Sequence, residues 1–161
     1  MTGLPPPPHV NVRSLAALHE RQPAGADWAA WLSWATRQPS VASLGIEPQE
    51  FSDGRALVTM AGSLTPLNPD GGVHGGLVAA LIDQVGALAT LTRAVPGHGV
   101  LTCTLSISYL RPAMLPLTGV GQVVRSGRTL IFTRVDILSA ADVCATASGT
   151  WLPKPYPAGV S

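Results

Sequence analysis

Asp83 lies in the run Leu81-Ile82-Asp83-Gln84-Val85-Gly86, a carboxylate among aliphatic side chains with only Gln84 polar beside it. No lysine or arginine stands three or four residues away on either side. Burying a carboxylate without a partner is expensive. One account of the position is structural: backbone or hydroxyl donors from another strand hold the carboxylate and fix the packing. The other is chemical: a catalytic carboxylate in a partly dry site.

A second group of residues lies just upstream. Asn68-Pro69-Asp70-Gly71-Gly72-Val73-His74-Gly75-Gly76 leads straight into the apolar stretch that holds Asp83. Glycines at a helix start let another group approach the backbone closely, and the free N–H groups there carry partial positive charge. Such a helix start suits an oxyanion or a polarised carbonyl. It equally suits a plain tight turn.

Spacing relates the two features. Gly75 and Asp83 are eight residues apart, or about 12 Å along a helix axis. A reacting carbonyl needs its donor and its carboxylate both within about 3 Å. One helix cannot offer both to one substrate, whereas two antiparallel copies can. If both features are catalytic, the site lies between subunits and a dimer carries two of them.

The elements that must position these residues follow from period and punctuation. Residues 1–11 are Pro-rich and read as extended or disordered, and 12–21 could form a short helix. Asp27 is a candidate N-cap for a helix over 28–38, with Trp28, Trp31, Leu32 and Ala35 on one face and Pro39 closing the segment. That helix either packs on the domain or lids an apolar ligand. Strands over 43–51 and 55–61 are joined at Ser52-Asp53-Gly54, a hairpin sequence. The apolar helix runs over 73–94, apolar nearly all round and therefore enclosed. Its Ala79, Ala80, Gly86 and Ala87 could leave room for a ring or a medium-length chain. Leu101, Cys103, Leu105, Ile107 and Tyr109 then alternate with Thr102, Thr104, Ser106 and Ser108, strict period two. Strands over 117–125, 129–138 and 142–151 complete the pattern. The fold class is α+β: a six-stranded antiparallel sheet wrapped around one long central helix, with an added N-terminal helical segment. The predicted divisions are an extension over 1–40, the main domain over 41–152 and a loose tail over 153–161. Flat sheet edges and a helix flank left to bury favour a homo-oligomer.

Composition excludes several classes. The 161 residues are 46% hydrophobic and only 12% charged, with a net charge of +1. No basic run or stripe supports nucleic-acid binding. Residues 73–95 form the longest apolar stretch but contain Asp83, Gln84 and Arg93, which argues for a buried helix over a membrane span. The N-terminus lacks the charged and apolar regions of a secretory signal. Cys103 and Cys144 belong to no CxxC pair and read as reduced packing thiols in a cytoplasmic protein. No HExxH or comparable metal cluster occurs, and no GxSxG elbow. His9 and His19 fall in the extension and His98 in a glycine-flanked turn.

The chain resembles a known family through these motifs. Asn68-Pro69-Asp70-Gly71-Gly72-Val73-His74-Gly75-Gly76 followed by Asp83 is similar to the Asn-Pro-x-Gly-x-x-His-Gly-Gly…Asp pattern of the hotdog-fold acyl-CoA thioesterases of the PaaI type. Ser108-Tyr109-Leu110-Arg111-Pro112-Ala113 looks like that family's strand ending, and Arg125-Ser126-Gly127-Arg128 like its hairpin. The resemblance covers roughly residues 44–152. It implies a hotdog fold and hydrolysis of an acyl-CoA thioester, with CoA as part of the substrate and no cofactor. It implies Asp83 as general base or nucleophile and the Gly75 N–H as carbonyl donor. Asn68 would orient the carbonyl or the water, and His74 would shape the turn or touch the substrate. Thr102 would hold the water or the carboxylate. The other hydroxyls of that strand face, Thr104, Ser106 and Ser108, would be structural. Gly76, Arg111, Arg125 and Arg128 would bind substrate, the arginines at the CoA phosphates. A dimer or a dimer of dimers is implied. Two rivals share the fold: a non-catalytic acyl-CoA-binding or regulatory domain, and a dehydratase or hydratase. The first would not need the embedded Asp83, and the second uses a histidine with an acid in a different local motif.

Overall fold

The computed structural model describes residues 27–61, 67–95 and 98–155; the Pro-rich start and the helix expected over 12–21 lie outside them. Asp27 caps helix α1 (Trp28–Thr36), its Oδ1 accepting from the N–H groups of Ala29 and Ala30 at 3.1 and 3.2 Å. Trp31, Trp34 and Ala35 are buried, and Leu32 packs against the core half-buried. The two indoles meet edge to face, 5.7 Å apart. Trp34 was missing from the expected stripe because its indole turns onto Trp31. Pro39 opens an element rather than closing one. It takes the first turn of a short helix α2 (Pro39–Ser43), where a residue without an N–H is tolerated.

Six strands follow around one long helix: β1 (Ile46–Ser52), β2 (Arg55–Met60), α3 (Gly75–Leu91), β3 (His98–Tyr109), β4 (Leu117–Ser126), β5 (Ile131–Ser139) and β6 (Asp142–Pro155). They form a single sheet in the order β1-β2-β4-β5-β6-β3, antiparallel throughout. Asp53 and Gly54 take positive φ (48° and 80°), as a two-residue hairpin turn of the I′ kind requires. The sheet curls around α3, which buries Val78, Leu81, Ile82, Val85 and Leu88 against it. Each such side chain contributes about 1.5–3 kcal/mol through burial.

Three expectations change here. Helix α3 starts two residues later than predicted, because His74 is its cap. It is not enclosed all round: Ala79, Ala80, Asp83, Gln84 and Ala87 stay half-buried and Gly76 exposed, so one stripe faces away from the sheet. Strand β6 runs on to Pro155, where its end pairs with the start of β3 from His98; the first residues of the expected loose tail are strand. Among the described residues no helix is long and apolar enough to cross a membrane.

Candidate active site

The carboxylate of Asp83 has a partner from the sheet. Thr102 donates its hydroxyl to Asp83 Oδ1 at 2.7 Å. A break in the strand makes this contact possible. Thr102 faces Trp151 across the ladder and Thr104 faces Thr150, so Cys103 is the extra residue of a bulge. A bulge resets which side chains face which side. Thr102 therefore turns inward to α3, while Thr104 turns outward and shares a 2.7 Å hydrogen bond with Thr150. Ser106 and Ser108 follow Thr104 outward, into a shallow groove on the outer sheet face with Arg134, Thr146 and Ser148. The strict alternation of the sequence placed all four hydroxyls on one face, and the bulge corrects that. It also corrects one cysteine: Cys103 is exposed, whereas Cys144 is buried. Burial pushes the Cys144 thiol above its ordinary pKa, as expected for a packing thiol.

The glycine-rich segment is a built loop. Asn68 closes it, with Oδ1 accepting from the N–H groups of Asp70 and Gly72 at 3.0 and 2.9 Å. Its oxygen is thus committed to the loop, and its Nδ2 is the group left to reach outward. His74 is the N-cap of α3, with Nδ1 accepting from the Gly76 N–H at 3.1 Å. An accepting Nδ1 leaves the proton of a neutral imidazole on Nε2. Gly76 is therefore occupied in capping. The His74 carbonyl takes the N–H groups of Leu77 and Val78. Among the described residues the Gly75 N–H has no acceptor, so it remains a donor at the positive end of the helix.

Tyr109 was missed as a site neighbour. Its hydroxyl donates to the Gly75 carbonyl at 2.9 Å, and a Cβ on Gly75 would meet the tyrosine ring at 3.7 Å. The motif Ser108-Tyr109-Leu110-Arg111 marked the strand ending, but nothing in its spacing says that Tyr109 returns to the helix start. Trp151 was missed as well. The room that Gly86 was expected to leave for an acyl group is filled from inside, by the Trp151 ring.

The structure brings Asp83 and Thr102 together, and separately groups Asn68, His74, Gly75 and Gly76 at the helix start. It does not bring the three arginines together. Arg111 lies beyond the Tyr109 end of β3, at the Gly75 end of α3, and pairs with Asp142 at 3.5 Å with both side chains exposed. Arg125 and Arg128 are exposed on the β4–β5 hairpin. That hairpin belongs to the opposite end of α3, where Thr92 and Arg93 hold the Asp53-Gly54 turn beside Val123. Asp83 stands between the two ends. Among the described residues no group of three His, Cys, Asp or Glu could hold a metal ion.

Comparison with known proteins agrees with this architecture. The model of the Thioesterase superfamily matches residues 70–146. Acyl-coenzyme A thioesterase 13 of Homo sapiens is 33% identical over 100 residues, 60% of this chain and 69% of that protein. The PaaI protein from the phenylacetic acid degradation operon of E. coli superposes with a TM-score of 0.64 at 26% identity, covering 71% of this chain and 83% of that one. A Streptococcus mutans protein bound to acetyl CoA superposes with a TM-score of 0.61 at 27% identity, covering 68% and 89%. The chain belongs to the thioesterase superfamily and is a hotdog-fold thioester hydrolase.

Proposed function

We propose that this protein hydrolyses an acyl-CoA thioester at a site shared between two copies of the chain. Asp83 of one copy supplies the carboxylate and Gly75 of the other the N–H that polarises the thioester carbonyl. The observation that carries the reading is the hydrogen bond from Thr102 to Asp83 Oδ1. It fixes the orientation of a half-buried carboxylate with a neutral donor and leaves Oδ2 free to work. Support for the substrate class comes from the acetyl CoA held by the S. mutans neighbour and from the name of the human relative.

Two copies are needed because α3 itself separates the groups. Asp83 follows Gly75 by more than two turns of α3, about 12 Å at 1.5 Å per residue. Two antiparallel α3 helices, each presenting its stripe of Ala79, Ala80, Asp83 and Ala87, set the start of one beside the middle of the other. The same arrangement carries Arg125 and Arg128 of one copy toward the Gly75 end of its partner. Their guanidinium groups are then available to the phosphates of CoA.

In the reaction, the thioester oxygen accepts from the Gly75 N–H, and the Nδ2 of Asn68 helps orient the carbonyl or the water. Asp83 takes a proton from water as its oxygen attacks the carbonyl carbon. The C–S bond then breaks, the proton passes to the departing thiolate, and free acid and CoA leave. Direct attack by Asp83, giving an anhydride that water opens, uses the same residues in the same places. Either route is complete with water, substrate and side chains, so no cofactor enters.

The test is thiol release from acetyl-, hexanoyl-, palmitoyl-, benzoyl- and phenylacetyl-CoA, wild type beside Asp83→Asn. Turnover on at least one substrate is expected, with kcat falling about 10²- to 10⁴-fold in the variant and circular dichroism unchanged. Wild-type binding without turnover would move the assignment to a non-catalytic acyl-CoA-binding domain.

A further inference from the structure

Gly86 stands three residues beyond Asp83 on α3, so the two share a helix face. Glycine inside a helix is unfavourable relative to alanine, and the structure holds a reason for it here. The Trp151 ring lies so close that a Cβ on Gly86 would meet Cζ2 at 2.3 Å and Cη2 at 2.4 Å. A Cβ on Gly149, two residues earlier on β6, would meet the same ring at 2.6 Å. Two glycines vacate the volume that one indole takes.

That indole lies next to the catalytic carboxylate. Trp151 is directly opposite Thr102 in the β3–β6 ladder, and Thr102 donates to Asp83. Thr102, Asp83, Gly86 and Trp151 therefore form one closed set of neighbours, two on the sheet and two on the helix. Trp151 is wholly buried, and its indole Nε1–H has no hydrogen-bond partner among the described residues. A buried donor left unsatisfied is unfavourable, and a phenylalanine would avoid it. What the position uses is the bulk of the ring. The ring fills the space between Gly86 of α3 and the sheet, on the strand position opposite Thr102.

We propose that Trp151 is the specificity-determining floor of the acyl site, closing the space beneath Asp83 so that the enzyme selects short-chain acyl groups. This rests on the reading of Asp83 as the catalytic carboxylate. Trp151 does not touch the reacting atoms. It sets how far the acyl group can run past them.

The experiment compares kcat/KM for thiol release from acetyl-, butyryl-, hexanoyl-, octanoyl- and palmitoyl-CoA in wild type, Trp151→Phe and Trp151→Leu. Circular dichroism and thermal unfolding accompany each variant. A methylene gained or refused by an apolar pocket changes kcat/KM roughly 10- to 200-fold. Wild type should therefore favour acetyl or butyryl over octanoyl by at least about tenfold. Trp151→Leu should move the optimum to hexanoyl or longer, mainly through KM, and Trp151→Phe should move it part of the way. If the leucine variant does not fold, the phenylalanine variant, which keeps a ring against Gly86, carries the comparison. A wild type that cleaves palmitoyl-CoA as readily as acetyl-CoA overturns the proposal, as does an unchanged rank order in folded variants. Absence of turnover on every substrate refutes the Asp83 reading instead. Calorimetric titration with non-hydrolysable acyl-CoA thioethers of the same lengths then decides the floor separately. Affinity falling with length in wild type but not in the folded variants supports it, and equal dependence on length overturns it.

Discussion

Gly75 occupies the first position of α3, and this lets its N–H be tested almost in isolation. Proline is well tolerated at the first helical position, since its missing N–H would have no intrahelical partner there. The preceding His74 has φ −57° and ψ 134°, the extended region that a residue before proline prefers. A Cβ at position 75 meets the Tyr109 ring only at ordinary contact distance, 3.7 Å. Gly75→Pro should therefore keep the fold and delete one donor. Its kcat should fall about 10²- to 10³-fold, the effect of losing one oxyanion-type donor, with thermal stability close to wild type. Gly75→Ala, which keeps the N–H, should retain most of the activity. Equal losses in the two variants would mean that crowding, rather than the missing donor, disables the site. The glycine pair at the helix start was visible in the sequence, although nothing there separated an open donor from a plain tight turn. The commitment of the Asn68 oxygen to its own loop was not, since an Asn-Pro-Asp-Gly run is compatible with several turns.

At the level of elements, the hairpin, the central helix and the four later strands were all legible. Asp53-Gly54 marks the turn, and the aliphatic run from Leu77 to Leu91 marks the helix. Their ends were less so: His74 acts through its side chain as a cap, and Pro39 starts a helix where prolines often stop one. The decisive element was hidden for a physical reason. A bulge changes the pairing of β3 without disturbing its alternating composition, so Thr102 looked equivalent to Thr104, Ser106 and Ser108. The partner strand holds the information, because Trp151 and Thr150 both need opposite numbers. Removing Cys103 should close the bulge with Thr102 still opposite Trp151 and Thr104 still opposite Thr150, so each keeps its face and the ladder becomes regular. Thr102 then stays beside Asp83, and Leu105 and Ile107 stay in the core. The deletion variant should fold and keep activity within about 10-fold of wild type, short of the roughly 10²-fold or more that losing the Asp83 contact would cost, and Cys103→Ser should stay near wild type. A loss of about 10²-fold or more in a folded deletion variant would show that pairing with Trp151 alone does not place Thr102.

For the molecule as a whole, the sheet covers only part of α3, and the half-buried stripe bearing Asp83 is left for something else to cover. A second copy covers it in the proposed site, and the sequence already contained the reason, in the eight-residue gap between Gly75 and Asp83. What no single-chain reading supplies is the relative placement of the two copies, because that depends on surfaces meeting across a symmetry axis. Complementation tests the placement without a structure of the dimer. Asp83→Asn retains its Gly75 donor, and Gly75→Pro retains its Asp83 carboxylate. A mixed dimer of the two therefore holds one complete site and one site lacking both groups. Random reassortment of equal amounts makes half of the dimers mixed, so activity should rise to a quarter of that of wild type at the same total concentration, from two nearly inactive parents. The rise should follow the rate of subunit exchange, read independently by energy transfer between labelled copies. If exchange is complete, both variants are folded and activity stays at the parental level, the donor and the carboxylate do not serve one substrate across the interface. Asp83 would then have to find its carbonyl donor elsewhere on its own chain.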